Sequence, residues 1–597
     1  MARGEETTAF TSGANYEEGK LQQIVDLGHG KAAAGFVGQM SAISWMHKVH
    51  EYLICVQPKR LEAPQVAIDQ HSAQLQDLNY FMDESNLLSV DEDYIEAGKL
   101  PPPETAILLS QACFHSLHDA FRFLDGDIFL QTLSNFPRNT LVLSLAQRRW
   151  LALANTIWAV GARWLETAKL TGFNETHLVY YARARALGLD HRIVLGHPDV
   201  ETLQAIGLLS FYFFINRSIS QAWNILGQAI RHMAALGLHL DIASGAVDEL
   251  ERQRRSRIFY SIYSLEILLS EVTGRPKSIS LEDVTTSIDV LADPVESVAT
   301  IDVADSGFPQ TPTRQPWLDF LGADRYLPQA MTGGLNSWRA DLRSIGKGVA
   351  PEYFAHRVRL CTISQRISST LYTGIHRVSW SEVQIETDRF ESEMRKWRET
   401  IPPGLDIRNA NSTDHDPRPN IELAMYYHSV LMILYRQFLT DIDIKDQSDP
   451  SARFIHYAAR SSFFAAMDLL GLLPDNPVGH EAYRFLPWWS LIHYLCQAAA
   501  ILTLELCLDM RHFDEADGSM VMRHLGKAAL YLRCLAESSL SAYKAWRIFQ
   551  QFVGHINAKY DADNVQHPPE LTPPPHGWTE ADELRLVRAF MYKMKST

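Results

Sequence analysis

The clearest helical pattern of this chain runs from Gln204 to Asp283. Residues 218–239 read SISQAWNILGQAIRHMAALGLH, and residues 248–276 read DELERQRRSRIFYSIYSLEILLSEVTGRP. In the first segment apolar residues recur at alternating steps of four and three, namely Ala222, Leu226, Ala229, Met233 and Leu236. That spacing places them on one face of a helix. We predict three helices, over Leu203–Ile215, Ser218–Leu236 and Asp248–Thr273.

The predicted helices also carry signals at their ends. Ser218 is a candidate N-cap, because its hydroxyl can accept a hydrogen bond from a free backbone amide. Gly237 stands where a helix commonly closes in the left-handed conformation, and Leu238 can then pack back over the last turn. Gly274 and Pro276 end the third helix, since glycine tolerates the reversal and proline cannot continue a helix.

Three of these segments resemble a known family. Residues 229–239, 251–257 and 274–276 are similar in order and spacing to the fungal-specific transcription factor domain. This is the middle homology region that usually follows a six-cysteine zinc cluster. Residues 36–45 and 435–438 resemble further parts of the same region. The family usually has paired tryptophans at the positions of Phe259-Tyr260 and Asp-Arg at the positions of Glu266-Ile267, and these changes keep the helical pattern.

The fold class that we predict is all-α, a large multi-helical fold of packed antiparallel helix pairs. No stretch shows sustained strand alternation, and residues 104–123 are predicted as a further helix. The resemblance implies the same fold over residues 31–560, after a flexible lead at 1–30. Proline- and glycine-rich sequence at about 289–351 predicts a loose connection. A proline-rich tail with an amphipathic helix is expected at 561–597.

Charge and cysteine spacing limit the possible functions. The net charge is −15, whereas a surface that grips DNA phosphates is usually basic, so we expect DNA contact to be indirect or weak. None of the six cysteines forms a Cys-x-x-Cys pair, so no zinc cluster is expected within this sequence. We therefore predict no metal and no cofactor. The first 20 residues lack a signal peptide, no apolar run is long enough to span a membrane, and dispersed cysteines indicate buried thiols in a reducing compartment.

No catalytic motif stands out, which leaves enzymatic activity open but not favoured. The candidate polar cluster for binding a ligand is Arg231, His232, His239, Glu266 and Arg275. The structural alternative is that Arg275 caps backbone carbonyls or pairs with Glu266, because a buried charge needs a partner.

A basic run opens the third predicted helix. Its members are Arg252, Arg254, Arg255 and Arg257, and they form a candidate nuclear import signal. The alternative is a solvated helix start in which Glu249 and Glu251 are the partners of these arginines.

The resemblance implies a fungal transcriptional regulator without its own zinc cluster. It would act by sensing a small-molecule effector or through a partner protein, such as a heterodimer with a DNA-binding relative or a coregulator. The nucleus is the expected location, with the cytoplasm as the alternative, and a metabolic or biosynthetic gene cluster is a possible target. The alternative function is a biosynthetic enzyme or small-molecule-binding protein that uses the same helical domain with a hydrophobic pocket.

Overall fold

The structure of the 597-residue chain is a computed structural model. It describes residues 24–25, 36–55, 78–81, 95–137, 142–168, 176–189, 197–242, 247–292, 352–372, 380–405, 407, 417–439, 450–508, 512 and 518–560. Most of the predicted N-terminal lead, the predicted loose connection from residue 293 onward and the predicted tail at 561–597 lie outside these residues.

The described part of the chain is built almost entirely from α-helices, which confirms the predicted fold class. Sixteen α-helices are present in it, and their bounds are α1 Ala42–Cys55, α2 Pro103–Ser116, α3 Gly126–Asn135, α4 Leu145–Thr167, α5 His177–Ala186, α6 Val200–Ile215, α7 Ile219–Ala235, α8 Glu249–Thr273, α9 Tyr353–Leu371, α10 Trp380–Glu399, α11 Pro417–Tyr435, α12 Pro450–Gly471, α13 Gly479–Phe485, α14 Leu491–Cys507, α15 Gly518–Leu535 and α16 Leu540–Tyr560.

The remaining regular elements of the described residues are short. Four 3-10 turns are Leu281–Asp283, Asp289–Leu291, Pro403–Leu405 and Arg436–Leu439. Two strands, β1 Ile24–Val25 and β2 Phe36–Val37, pair antiparallel with Ile24 opposite Val37. The sequence showed no strand signal, because a two-residue strand is too short to display alternation.

Helices pack as neighbouring pairs around a continuous core. α2 packs on α4, α4 on α5, α6 on α7, α11 on α12, and α15 on α16. α8 lies between α7 and α9, and α9 in turn packs on α11. Buried apolar side chains from Val37 to Val553 form one contiguous cluster. The two halves of the described chain therefore share a single core, with α8 near its middle.

Helices α6, α7 and α8 confirm the predicted elements, and two of their ends confirm the predicted signals. Gly237 has φ 65°, and Leu238 donates its N–H to the Met233 carbonyl at 3.1 Å. Gly274 has φ 70° and closes α8. The predicted cap at Ser218 is wrong. Its backbone lies at φ −85° and ψ 63°, away from the extended conformation of an N-cap, and its side chain makes no capping hydrogen bond.

The helix predicted over residues 104–123 is also too long. α2 ends at Ser116, because His118 and Asp119 adopt φ of 50° and 57°. Left-handed backbone cannot continue a right-handed helix. The resulting turn places Phe121 and Phe123 in the core, where both are at most 2% exposed.

The segment that leads into the core, residues 36–55, is called the N-terminal arm below. Gly38 lies against the end of α8 and donates its N–H to the Thr273 carbonyl at 3.1 Å. Trp45 is 2% exposed, and α1 packs along α14. The arm is therefore an integral layer of the fold.

Candidate functional site: a buried polar network

Helix α8 is buried on all sides along its second half. Every residue from Ser256 to Thr273 is buried, although Ser264, Glu266 and Glu271 are polar. A helix enclosed on all sides is normally apolar throughout. Polar groups in such a place need hydrogen-bond partners. Ser264 and Glu271 find theirs on α9 and α11, and Glu266 finds its partners in the segment after α8.

An ion pair joins α9 to α11 at the centre of this network. The Arg357 Nε donates to Glu422 Oε1 at 2.9 Å, and the two side chains are 2% and 0% exposed. Tyr353 donates its hydroxyl to the other carboxylate oxygen at 2.6 Å. The guanidinium also lies over the rings of Phe121 and Tyr426, at 4.9 and 5.6 Å. Burial alone would lower the pKa of Arg357, but Glu422 raises it well above its ordinary value.

Glu271 of α8 is the second acidic residue of the network. Its Oε1 accepts hydrogen bonds from the hydroxyls of Ser364 and, at 3.0 Å, Tyr426. Its Oε2 is buried and accepts no hydrogen bond from any described residue. Burial raises the pKa of Glu271 to about 6, against the lowering effect of the two hydroxyls. Burial lowers the pKa of nearby Lys277 to about 8, and the Glu271 and Glu266 carboxylates oppose that decrease.

Glu266, which the sequence marked as a site candidate, fixes the segment after α8. Its carboxylate accepts the backbone N–H of Ser278 at 2.5 Å and of Ile279 at 3.3 Å. Burial raises the pKa of Glu266, while these backbone hydrogen bonds lower it. The carboxylate therefore acts as an anchor for the chain that leaves the helix.

Arg275 does not form the expected ion pair with Glu266. Its Nη2 donates to the Ser220 hydroxyl at 3.0 Å, and its guanidinium lies 5.4 Å from the centre of the Trp223 ring. Its own carbonyl accepts the hydroxyl of Ser270 at 2.5 Å. Arg275 thus links the end of α8 to the beginning of α7. The Glu266 carboxylate instead accepts hydrogen bonds from backbone N–H groups.

Arg231 and His232 lie on α7 about 17–18 Å along the helix from Ser220, since each residue advances an α-helix by about 1.5 Å. Arg231 is exposed and donates to the Gly227 carbonyl at 3.2 Å. His232 is buried; burial lowers its pKa and the Asp199 carboxylate raises it. The structure therefore does not bring this pair together with Arg275.

His239 occupies a third location, beyond the end of α7. Its carbonyl accepts the N–H groups of Thr285 and Thr286 at 2.9 and 3.1 Å. Arg255 donates to the Leu236 carbonyl at 2.9 Å, which caps the same helix end. The five predicted site residues are thus spread over separate structural contacts, and ligand binding by any of them stays a prediction.

Two members of the predicted import run, Arg252 and Arg254, reach solvent and are ion-paired. Arg252 lies 3.3 Å from Asp241 and 3.4 Å from Glu249. Arg254 lies 3.3 Å from Glu251. Glu249 and Glu251 are the partners that the sequence suggested for a solvated helix start.

The other two arginines of the run point inward. Arg255 is half-buried in the helix cap, and Arg257 is 9% exposed and donates to Gln253 Oε1 at 3.1 Å. Burial lowers the pKa of Arg257, with a further decrease from Arg122. An import receptor that binds the folded protein would therefore reach mainly Arg252 and Arg254.

Arg436 connects the network to the N-terminal arm. It is 1% exposed and donates to the Met40 carbonyl and, at 3.3 Å, to the Tyr372 hydroxyl. Its guanidinium lies over the rings of Trp45 and Tyr372, at 5.5 and 5.6 Å. Burial lowers the pKa of Arg436, against the effect of the Tyr372 hydroxyl. Among the described residues no carboxylate lies within ion-pair distance of this cation.

Sequence reasoning missed most of this network, because it searched a single stretch. The members come from four elements and are separated by up to 165 positions, from Glu271 to Arg436. One signal was available. Glu271 and Glu422 each interrupt an apolar helical run, and a carboxylate in that position requires a buried partner.

Other site types find no support in the described residues. No group of three or more His, Cys, Asp or Glu side chains within them is arranged to hold a metal ion. Of the helices that the structure describes, none combines the length and hydropathy of a membrane span. The predicted burial of the cysteines is confirmed for Cys113, Cys361, Cys496 and Cys507.

Comparison with known proteins relates this all-helical body to a family of regulators. Residues 114–401 match the family described as fungal specific transcription factor domain. The match agrees with the resemblance that the sequence showed over part of the chain.

Relatives of the chain are regulators from fungi. It is 24% identical over 587 residues to "Transcription regulator galc" of Aspergillus niger, covering 89% of this chain and 69% of the relative. It is 21% identical over 473 residues to "Activator of stress genes 1" of Saccharomyces cerevisiae, covering 77% and 44%. It is 30% identical over 238 residues to "Transcription factor FBD3" of Fusarium pseudograminearum, covering 40% and 30%. The chain thus spans less than half of the last two relatives.

Proposed function

We propose that this protein is a fungal transcriptional regulator that acts through its helical domain. The observation that carries the proposal is the match of residues 114–401 to the fungal specific transcription factor domain. Relatives named as a transcription regulator and an activator of stress genes support it.

The domain would respond to a small-molecule effector or to a partner protein. A buried network that holds Arg357, Glu422 and Glu271 supports an effector, because buried charges are sensitive to small rearrangements around them. Contact with DNA would be indirect, through a heterodimer with a DNA-binding relative or through a coregulator. The net charge of −15 supports this part of the proposal.

We place the protein in the nucleus, and we propose metabolic or biosynthetic genes as its targets. The test is chromatin occupancy of the tagged native protein, with transcripts measured before and after its deletion. Discrete promoter peaks next to genes whose transcripts change would support the regulator. A cytosolic protein without peaks and without changes in transcripts would contradict it.

A second test addresses DNA contact by the chain itself. We expect the purified 597-residue protein to show no sequence-specific affinity for DNA from an occupied promoter. Tight binding to one promoter fragment that persists at about 0.2 M salt would overturn indirect contact, since non-specific phosphate binding weakens steeply with salt.

One observation favours the alternative, a biosynthetic enzyme or small-molecule-binding protein. The buried side chains of Glu271, Tyr426 and Arg357 lie together, as the polar groups of a ligand site do. That alternative would require the deletion strain to accumulate a metabolite while its transcripts stay unchanged.

A further inference from the structure

One exposed face of helix α12 carries aromatic side chains beside positive charge. Tyr457 is 49% exposed and Phe464 is 41% exposed. Among the described helices, α12 is the one that carries two exposed large hydrophobic side chains. Single residues of this kind are normal on the surface of a protein, whereas two on one helix face require an explanation.

The spacing of the residues on this face places them on a single stripe. Successive residues turn by about 100° around an α-helix, so Arg453, Tyr457, Arg460 and Phe464 fall within about 60° of one another. We call these four residues the α12 stripe. Its two aromatic residues are seven positions apart, which is about 10.5 Å along the helix axis at about 1.5 Å per residue.

Contacts with neighbouring groups hold the stripe in one arrangement. The Tyr457 hydroxyl donates to Glu391 Oε1 of α10 at 2.7 Å. The Arg460 guanidinium lies 5.7 Å from the centre of the Phe464 ring, and its Nη1 donates to the His512 carbonyl at 3.2 Å. Side chains that are already ordered lose little conformational entropy when a partner binds. The stripe is therefore preorganised for contact, although it faces solvent.

Positive charge on the stripe is available to a partner. Arg453 is exposed, and its side chain makes no hydrogen bond or ion pair with any described residue. The Glu391 carboxylate at the edge of the stripe is already paired with Arg395 at 2.9 Å. Asp468 is exposed, but it follows the stripe toward the end of the helix. The basic part of this face therefore coincides with its aromatic part, on a chain whose net charge is −15.

This combination of side chains fits an acidic helix. Aromatic residues and arginine are enriched where proteins contact one another. Two apolar anchors that are two helical turns apart match a helix whose own apolar residues recur at i, i+3 or i+4, and i+7. Arginines beside these anchors fit carboxylates. A nucleic acid strand also stacks on aromatic rings, but it needs a basic groove along its backbone, and the stripe offers only two arginines.

We propose that the α12 stripe binds an amphipathic helix of a partner protein that carries Asp or Glu beside its apolar face. The proposal rests on the partner-protein form of the function given above. It adds the surface that binds and the chemistry of the segment that is bound.

The experiment is fluorescence anisotropy of a labelled peptide titrated with the purified 597-residue chain. The peptide has about 15 residues, with Leu and Phe on one face of a helix and Asp and Glu on the other. We expect saturable binding that weakens as salt rises from about 0.05 M to about 0.5 M, because salt screens exposed charges. One control peptide has Lys in place of each acidic residue, and another has Ala in place of Leu and Phe. Neither should bind.

Variants of the stripe test where the peptide binds. Phe464→Ala should weaken binding about tenfold, as truncation of an interface anchor does. Arg453→Glu should weaken it about fivefold at low salt and less at high salt. Leu145→Ala and Arg148→Glu are the matched controls, because both residues are exposed and lie on α4. These two controls should bind the peptide with the Kd of the wild type, and all four variants should keep its urea midpoint.

Four results would overturn the proposal. The first is the absence of saturable binding, and the second is binding that both stripe variants retain at full strength. Tighter binding of a single-stranded oligothymidylate than of the peptide would assign the stripe to nucleic acid. Sedimentation of the chain as a dimer that Phe464→Ala dissociates, without peptide binding, would assign this face to a second copy of the chain.

The outcome separates the α12 stripe from the wider function. Promoter occupancy in cells together with no peptide binding in solution would remove the acidic partner helix and leave the regulator. Peptide binding that depends on the stripe, without promoter occupancy, would keep the interaction surface and remove the regulator.

Discussion

Gly38 and Gly274 lie with their backbones in direct contact. A Cβ atom on Gly38 would come within 2.0 Å of the Gly274 carbonyl oxygen, and a Cβ on Gly274 would come within 2.4 Å of the Gly38 oxygen. Both approaches are far closer than atoms can pack. The end of α8 therefore receives the N-terminal arm only because neither residue has a side chain.

The first prediction concerns Gly38→Ala. The added methyl group cannot be accommodated against backbone, so we expect a loss of about 1–3 kcal/mol in unfolding free energy. Local detachment of the arm should accompany it. Urea denaturation measures the first effect, and proteolysis within residues 36–55 measures the second.

Gly526→Ala is the matched control for this substitution. Gly526 is inside α15, and apart from the backbone of that helix no atom of the described residues lies within 4 Å of the added methyl group. Alanine should stabilise that helix by up to about 1 kcal/mol. If the two variants shifted the urea midpoint in the same direction, the close contact at Gly38 would not limit stability.

The second prediction concerns the buried ion pair. Arg357→Met leaves the Glu422 carboxylate without its charged partner, and we expect a cost of about 3–5 kcal/mol. Adding Glu422→Gln should recover part of that cost, because the remaining buried charge is removed. Urea denaturation of the wild type, both single variants and the double variant gives the unfolding free energies of a double-mutant cycle. Simple additivity of the two single costs would show that the pair is not coupled.

The third prediction concerns the titration of Glu271. Burial raises its pKa from 4.5 to about 6, so the folded state holds this proton at a pH where the unfolded chain has released it. Its contribution to stability is present below about pH 4.5 and is lost as the pH rises through 6. Across this pH range the unfolding free energy should fall by about 2 kcal/mol, at about 1.36 kcal/mol per unit of pKa shift.

A comparison with Glu271→Gln isolates this titration. Buried histidines act in the opposite direction over an overlapping range; burial lowers the pKa of His428 to about 4, for example. We therefore expect the wild type to lose about 2 kcal/mol relative to the variant between pH 4.5 and 7, by urea denaturation. Parallel stability curves for the two proteins would contradict a raised pKa at Glu271.

The fourth prediction separates two arginines of the basic run. Arg255→Gln removes the hydrogen bond to the Leu236 carbonyl, and we expect a cost of about 1 kcal/mol. Arg254→Gln removes only an exposed ion pair and should leave the urea midpoint unchanged. Nuclear accumulation of each tagged variant then reports on import. A stable Arg254→Gln protein that enters the nucleus normally would argue against Arg254 as part of an import signal.

The central helices could be predicted from local signals in the sequence. Gly237 and Gly274 marked helix ends correctly, because a left-handed backbone is a property of a few consecutive residues. Ser218 failed as a cap because its backbone angles are set by the tight turn from α6, which a preference for serine does not reveal. The excess length predicted for α2 has a similar origin in the left-handed turn at His118 and Asp119.

The polar network could not be predicted in the same way. Arg357 and Glu422 meet across 65 positions, and each alone is an ordinary charged residue on a helix. Their pairing depends on how α9 and α11 pack, which apolar periodicity does not specify. Glu266 and Arg275 are near in sequence, yet Glu266 accepts backbone N–H groups and Arg275 donates to Ser220, which their spacing does not specify.

The hydrogen bond from Arg436 to Met40 joins positions that are 396 residues apart. A ribosome adds about 5–20 residues per second, so the arm waits about 20–80 seconds after its own synthesis before its partner exists. Its apolar side chains, Trp45 among them, are exposed to other proteins in the meantime. Docking of the arm is therefore a late step in biogenesis, and a nascent chain that stops before Arg436 cannot complete it.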